Sequence, residues 1–183
     1  IKPNGVVFDG KLYEVDCIIF ATGFEVGTDY SRRAGYNITG SNGLTISQKW
    51  SEGLTTFHGM HVREFPNCFF FGPAQAGFTA TYTFSLDENA LHLAHILGEM
   101  KKRGVNRVEA SQKAESDWVQ TIIDKARLTE NFQKACTPGY YNNEGHVNVK
   151  PQNNFYGGGP IEFFNLTRKW RANNRLTGLE LAE

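Results

Sequence analysis

A chain of 183 residues carrying 19 Lys and Arg against 19 Asp and Glu has no net formal charge, which excludes a domain held to nucleic acid by bulk electrostatics. A hydrophobic content of 40%, with 13% aromatic and 21% charged residues, excludes a disordered chain and argues for a globular one. The length suits one ordinary domain with a sizeable core.

The three cysteines, Cys17, Cys68 and Cys136, are odd in number and far apart. They make neither a disulfide framework nor a zinc ribbon, and Cys17 and Cys68, each within an apolar run, read as buried free thiols in a reducing, cytoplasmic compartment. No apolar run approaches the ~20 residues of a membrane span. The chain opens at Ile1 with no Met and enters an apolar stretch within twenty residues, as a chain continuing something begun upstream would.

In chain order, Asp9-Gly10 between two apolar runs predicts a hairpin over Gly5 to Tyr13, because both central turn positions need φ > 0. The continuous apolar run Asp16-Cys17-Ile18-Ile19-Phe20-Ala21 predicts a strand buried on both faces, ended by Thr22-Gly23-Phe24. Residues 25–64, rich in Gly, Ser, Thr and Asn, read as loops and short strands with an amphipathic piece at Asp29 to Ala34. Phe65-Pro66-Asn67 turns the chain into a second buried strand, Cys68 to Phe71, stopped by Gly72-Pro73.

Ser85 and Glu88 fit a capping box, with Leu86, Ala90, Leu93, Leu97 and Met100 as the apolar stripe of a helix that Gly104 ends. Val105 to Val108 reads as a short strand. A second helix runs from Ser111 to about Leu128, with Trp118, Val119, Ile122, Ile123 and Ala126 inward. Aromatic loops follow at Pro138 to Asn143 and Tyr156 to Gly159, and a last helix covers Pro160 to Ala172.

His58 and His61, and His92 and His95, are HxxH pairs, but no third ligand stands at a known metal spacing, so no metal site is expected. His92 and His95 read as solvated or hydrogen-bonded. No nucleophile elbow or P-loop is present, and Gly157-Gly158-Gly159 follows an aromatic loop rather than a strand, which excludes a dinucleotide fingerprint. The informative segment is Asp16 to Phe24. A buried strand ending in Ala21-Thr22-Gly23 lets the backbone approach a bound group, at the carboxyl end where open α/β sheets bind ligands. A plain strand end with a tight turn is the other reading of the same residues.

Four segments, in order, carry a resemblance. Asp16 to Phe24 resembles the strand closing the nicotinamide-binding domain of flavoprotein monooxygenases with two dinucleotide folds. Phe65 to Pro73 resembles the following strand, which leads into the flavin domain, and Ser85 to Glu88 the next helix start. Cys136 to Gly145 and Tyr156-Gly157-Gly158 are similar to the C-terminal portion of type I Baeyer–Villiger monooxygenases, the cycloalkanone and polycyclic-ketone branch in particular. The fold implied is α/β, the C-terminal part of a Rossmann-like flavoprotein monooxygenase with two dinucleotide-binding domains. Residues 1–24 would close the NADP-binding domain, and residues 25–183 would form the C-terminal half of the FAD-binding domain with its terminal loop and helix.

The resemblance implies FAD and NADPH as cofactors, and a ketone and O2 as substrates. It implies no nucleic-acid or membrane partner. One oxygen would be inserted beside the carbonyl to give an ester or lactone. Ala21, Thr22 and Gly23 would lie near the nicotinamide cofactor. Gly72 and Pro73 would end the strand leading to the flavin, with Thr81 and Tyr82 beside its ring. Gln75, Gly77, Phe78 and Thr79 would shape the ketone pocket. Tyr140, Tyr141 and Asn142 match the loop folding over NADP and substrate, although many relatives place a tryptophan where this chain has tyrosines. The dinucleotide fingerprints and the arginine kept beside the flavin belong upstream of Ile1. No catalytic residue is therefore expected in this stretch, and the 183 residues alone are expected to be inactive. Two readings remain open from the residues alone: an N-hydroxylating or flavin-containing monooxygenase of the same architecture, and a non-catalytic binding module keeping half of an enzyme fold.

Overall fold

The runs flanking Asp9-Gly10 pair as expected. Strand β1 (Gly5–Phe8) lies antiparallel to β2 (Lys11–Glu14), with Phe8 opposite Lys11. Asp9 and Gly10 adopt φ of 48° and 72°, the left-handed pair that a two-residue hairpin turn requires. The computed structural model describes residues 1–21, 30–126 and 150–183.

The strand expected at Asp16 to Ala21 does not form. Among the described residues it has no ladder partner, and Ile19 and Phe20 are 84% and 75% exposed. A strand buried on both faces needs a neighbour on each edge and layers above and below, and no described element lies there. Nor are the thiols buried: Cys17 is exposed and Cys68 half-buried, while Cys136 lies outside the described residues.

The stretch read as loops and short strands holds two short helices, α1 (Tyr30–Ala34) and α2 (Ile46–Lys49). Thr45 caps α2 through a full capping box. Its Oγ1 accepts from the Gln48 amide at 3.3 Å, and Gln48 Oε1 accepts from the Thr45 amide at 2.9 Å. Ile46, Val62 and Phe65 form a small buried cluster, covered by Tyr30, Trp50 and Phe70. Cys68 to Phe71 is extended but not a sheet strand. It makes one bridge, His61 to Phe69, and the Phe70 amide donates to Met60 O at 2.9 Å. Phe69 turns onto His61 and Phe70 onto Trp50 and Tyr30, so the run serves two small packing sites rather than one sheet face.

Helix α3 (Tyr82–Arg103) begins three residues before the expected cap, and Thr81 at its N-cap makes no side-chain cap bond. Ser85 and Glu88 lie inside the helix and are buried. A three-residue spacing marks a capping box, but it also puts two side chains on one helix face. Here the face prevails, because the Glu88 carboxylate is held by Arg168 and, at 3.3 Å, by Arg171. These guanidiniums, Arg168 foremost, hold the Glu88 carboxyl below the usual range.

The buried stripe is Ser85, Glu88, His92, Ile96, Glu99 and Met100. Of the expected stripe, only Met100 is fully buried: Leu86 and Leu93 are half-buried, and Ala90 and Leu97 are exposed. Gly104 closes the helix in the left-handed conformation, as expected.

Strand β3 (Arg107–Ala110) stands two residues beyond its expected place. It pairs antiparallel with β4 (Leu179–Ala182), a strand the sequence reading did not include, in the register Arg107 to Ala182 and Ala110 to Leu179. Helix α4 (Gln112–Lys125) starts at the expected cap: Ser111 Oγ accepts from the Ala114 amide at 3.2 Å. Ser111→Ala is expected to cost about 1 kcal/mol, seen as faster hydrogen exchange in the first turn of α4, whereas Ser111→Asp, which keeps a cap, should hold that turn. Helix α5 (Pro160–Ala172) has the expected bounds, with Pro160 in the first turn, where its missing N–H is not needed.

The main core joins Phe57 and Ala76 from the loops, Trp118 and Ile122 from α4, Tyr156, and Phe163 and Phe164 from α5. A second cluster packs Ile96 and Met100 of α3 against Val108 and Leu176. Trp170 and Leu179 touch both clusters and unite them.

Candidate functional site

The segment from Gly72 to Tyr82 connects the bridged run at Phe69 to the start of α3. Gly72 and Pro73 are half-buried, Gln75, Ala76 and Gly77 buried, Phe78 and Thr79 half-buried, and Thr81 and Tyr82 exposed. Two backbone bonds lay this segment against residues 154–156. The Gln75 amide donates to Asn154 O at 2.9 Å, and the Tyr156 amide donates to Ala76 O at 3.0 Å. Phe155 lies between those anchors, and its ring stacks on Phe78 at 4.9 Å and 21°, with Tyr82 6.3 Å from Phe78 on another side. Phe155 is 43% exposed, so the pair presents an open aromatic surface. A hollow of about 110 Å³ adjoins it, lined by Thr79, Phe84, Ile161, Phe164, Asn165 and Arg168.

Gln75 is not where a pocket residue should be. Its side chain is wholly buried. Nε2 donates to Leu54 O at 2.7 Å and Gln152 O at 2.9 Å, and Oε1 accepts from Thr56 Oγ1 at 2.6 Å. Gln75 holds the loop from behind and does not line its open face. Phe78 lies on the aromatic surface and Thr79 lines the neighbouring hollow, whereas Gly77 is buried against Phe163, and Thr81 and Tyr82 stand at the adjoining helix end. Ala21 is exposed, and no described contact joins it to this group. Thr22, Gly23, Tyr140, Tyr141 and Asn142 lie outside the described residues. The sequence reading did not include Phe155; its family motif was Tyr156-Gly157-Gly158, which begins one residue further on.

His58, His92 and His95 gather around Trp170, with His61 close by. His58 stacks on Phe57 and lies 5.5 Å from His92 between ring centroids. Trp170 is 5.6, 5.0 and 6.4 Å from His58, His92 and His95. His92 is buried, not solvated, and among the described residues neither of its ring nitrogens has a hydrogen-bond partner. Burial, foremost, pushes His61 and His92 down to about 3 and His58 well below its ordinary value. Among the described residues, no three His, Cys, Asp or Glu side chains are grouped to hold a metal ion. No described helix is long and apolar enough to cross a membrane.

No protein-family model matches the sequence. Pentalenolactone D synthase of Streptomyces exfoliatus is 46% identical over 184 residues, covering 99% of this chain and 32% of that protein. A Baeyer–Villiger monooxygenase of Stachybotrys chlorohalonatus is 38% identical over 183 residues, covering 99% of this chain and 29% of its own. The solved polycyclic ketone monooxygenase of Thermothelomyces thermophila superposes with a TM-score of 0.83 at 27% identity, over 99% of this chain and 30% of that one. This chain is a counterpart of the C-terminal portion of Baeyer–Villiger monooxygenases.

It spans about 30% of the length of these Baeyer–Villiger monooxygenases. Its mixture of helix and strand is the fold of the matching portion of these flavin enzymes. Another of them, cyclohexanone monooxygenase of a Rhodococcus, was solved bound to NADP+ and superposes with a TM-score of 0.76 at 28% identity, covering 98% of this chain and 33% of that one.

Proposed function

We propose that this chain forms part of an FAD- and NADPH-dependent Baeyer–Villiger monooxygenase, which inserts one oxygen of O2 beside a ketone carbonyl to give an ester or lactone. The carrying observation is the half-open aromatic surface of Phe78 on Phe155, set beside the exposed start of a 22-residue helix in a chain that matches such enzymes along its length. An apolar aromatic wall with few polar groups suits a bulky ketone and disfavours water at the reacting carbonyl.

The residues present fit a flavin. Thr81 gives α3 no side-chain cap, so the first-turn amides at Thr81 and Tyr82 retain donors for the carbonyl edge of the ring. When bound and reduced by NADPH, FAD supplies the oxygen-transfer chemistry. In this reading Gly72 and Pro73 carry the backbone toward the flavin, and Phe78, Thr79 and Tyr141 bound the ketone. Ala21, Thr22, Gly23, Tyr140 and Asn142 face the nicotinamide cofactor. Residues 1–24 belong to the nicotinamide-binding domain and residues 25–183 to the flavin domain, with the remaining parts of both supplied by the rest of the protein. The exposed Ile18, Ile19 and Phe20 then have a sheet to complete.

Full-length protein supplied with NADPH, a cyclic ketone and 18O2 should yield a lactone with one 18O atom. A hydroxylated amine as sole product, or no ketone turnover, contradicts the assignment. Phe78→Ala should change the ratio of kcat/KM between a polycyclic and a monocyclic ketone by about tenfold, the scale of a lost aromatic contact. An unaltered substrate profile removes Phe78 from the pocket.

A further inference from the structure

We infer that Gln75 is a positioning residue for ketone specificity: buried behind the loop, it sets the position in which Phe78 meets Phe155. This rests on the reading of that aromatic pair as the ketone wall.

Gln75 adopts a φ of 56°, in the left-handed region that non-glycine residues rarely occupy. Such a backbone persists only where its surroundings over-determine it, and here they do so five times. The amide donates to Asn154 O at 2.9 Å, and the carbonyl accepts from Trp118 Nε1 at 3.1 Å. The side-chain amide engages Leu54 O, Gln152 O and Thr56 Oγ1. One residue thereby ties together residues 54–56, residues 152–154 and α4. Among the described residues no polar atom of its side chain is left unbonded, so Gln75 has nothing to offer a substrate.

The consequence for the open face is geometric. Residues 75–76 and 154–156 are paired by two bonds only, from Gln75 to Asn154 and from Tyr156 to Ala76. Residues 73–76 form a tight turn, with the Ala76 amide donating to Pro73 O at 3.2 Å and Gln75 in the left-handed region, so the torsion at Gln75 sets the direction in which the chain leaves toward Phe78. Phe155 sits between the two anchors, and Phe78 lies three residues beyond Gln75. A change in that torsion would part rings that now lie 4.9 Å apart. The Trp118 bond adds a rigid support, because the Trp118 ring is itself stacked on Tyr156 at 5.6 Å and 5°. The tie therefore passes from α4 to both sides of the pair.

The experiment is a double-mutant cycle in the full-length enzyme, read as the ratio of kcat/KM for a polycyclic to a monocyclic ketone, together with the ratio of lactone regioisomers. Gln75→Met keeps the length of the side chain and removes all three of its hydrogen bonds. It should lower the kcat/KM ratio about tenfold and shift the regioisomer ratio. In a Phe78→Ala background the same change should have little further effect, because there is no ring left to position. Gln75→Glu, which sets a buried carboxylate oxygen against the carbonyls of Leu54 and Gln152, should move both ratios at least as far as Gln75→Met. If Gln75→Met loses its flavin, Trp118→Phe carries the test: it removes the bond to the Gln75 carbonyl while keeping an aromatic ring beside Tyr156, and should shift both ratios in the same direction by about threefold.

Ratios unmoved in flavin-loaded Gln75→Met, or in Trp118→Phe where that variant carries the test, overturn the inference. So does an effect that adds independently to that of Phe78→Ala. If Phe78→Ala itself leaves both ratios unchanged, the reading of the ketone wall fails first, and the positioning role falls with it.

Discussion

Lowering the pH from 6.5 to 5.5 is expected to destabilise the fold by about 3 kcal/mol. His58, His61 and His92 are buried and held neutral, His61 and His92 down to about 3. In the unfolded chain each titrates near its ordinary value of about 6.5. Between those values the unfolded chain binds more protons than the fold, so stability falls as the pH falls. It is fully present above about 6.5 and is lost progressively toward 3. Each histidine contributes about 1 kcal/mol over the first unit below 6.5 by this linkage, and three contribute about 3.

His92 faces Arg171 on α5 and His95 on its own helix, and His95 in turn faces Glu99, Arg171, Lys102 and Arg103, while Glu88 on α3 faces Arg168 and Arg171. The carboxyls of Glu88 and Glu99 are held below their ordinary value, Glu88 by its bonds to Arg168 and Arg171 and Glu99 by its bond to Lys102. Their own acid loss therefore begins below about 4.5 and leaves the window from 6.5 to 5.5 to the histidines. Hydrogen exchange in α3 and α5, corrected for its intrinsic pH dependence, measures the opening. His92→Gln should reduce its pH slope by one proton. An opening free energy that stays level from pH 6.5 to 5.5 would show that these rings are already hydrated or paired.

Gly157→Ala is expected to destabilise the protein by about 3 kcal/mol, the upper range for forced overpacking. A Cβ at this position would overlap the carbonyl oxygen of Lys125, at the end of α4. That obstacle is backbone and cannot swing aside. Its neighbours leave little slack. The Tyr156 hydroxyl donates to Glu162 Oε1 at 2.6 Å, Lys125 Nζ donates to the same oxygen at 2.8 Å, and Lys125 Nζ lies over the Tyr156 ring, 5.2 Å from its centroid. The substitution should lower the thermal midpoint of the full-length protein and pull the end of α4 away from Tyr156. Gly159→Ala has open space around it, although its φ of 86° makes the residue strained in another way. A Gly157→Ala protein as stable as wild type would mean that α4 can shift by more than an ångström without cost.

The Tyr156-Gly157-Gly158 motif therefore has a steric reason as well as a family likeness, and only the likeness was legible in the sequence. What could be read locally was read well. The Asp9-Gly10 turn, the Ser111 cap, the Gly104 stop and the bounds of α5 each depend on a few adjacent residues. What depends on distant partners was misread. The face of α3 was assigned to its leucines, because an apolar stripe normally marks the buried side. Here the buried side is one residue earlier and carries Glu88 and His92, made acceptable by Arg168 and Arg171 eighty residues away and by the rings around Trp170. Strand β4 was invisible for a similar reason: Leu-Glu-Leu-Ala is short and gains its identity only from β3. At the candidate site, Phe78 was named as a pocket residue through the family likeness alone. Its partner Phe155 and the inward turn of Gln75 came only from the fold.

The pairing of β3 with β4 also has a meaning in time. During synthesis from the N-terminus, Ala110 emerges 69 residues before its partner Leu179. At roughly 5–20 residues per second, the edge of β3 waits about 3–14 s for the strand that covers it. The nascent chain is protected meanwhile by its own composition. Arg107 and Glu109 alternate with Val108 and Ala110, and charges on an open edge discourage pairing with a neighbouring chain. Arg63 then binds Glu180 once β4 arrives, so the ion pair acts as a late clasp on a strand whose waiting edge was already guarded.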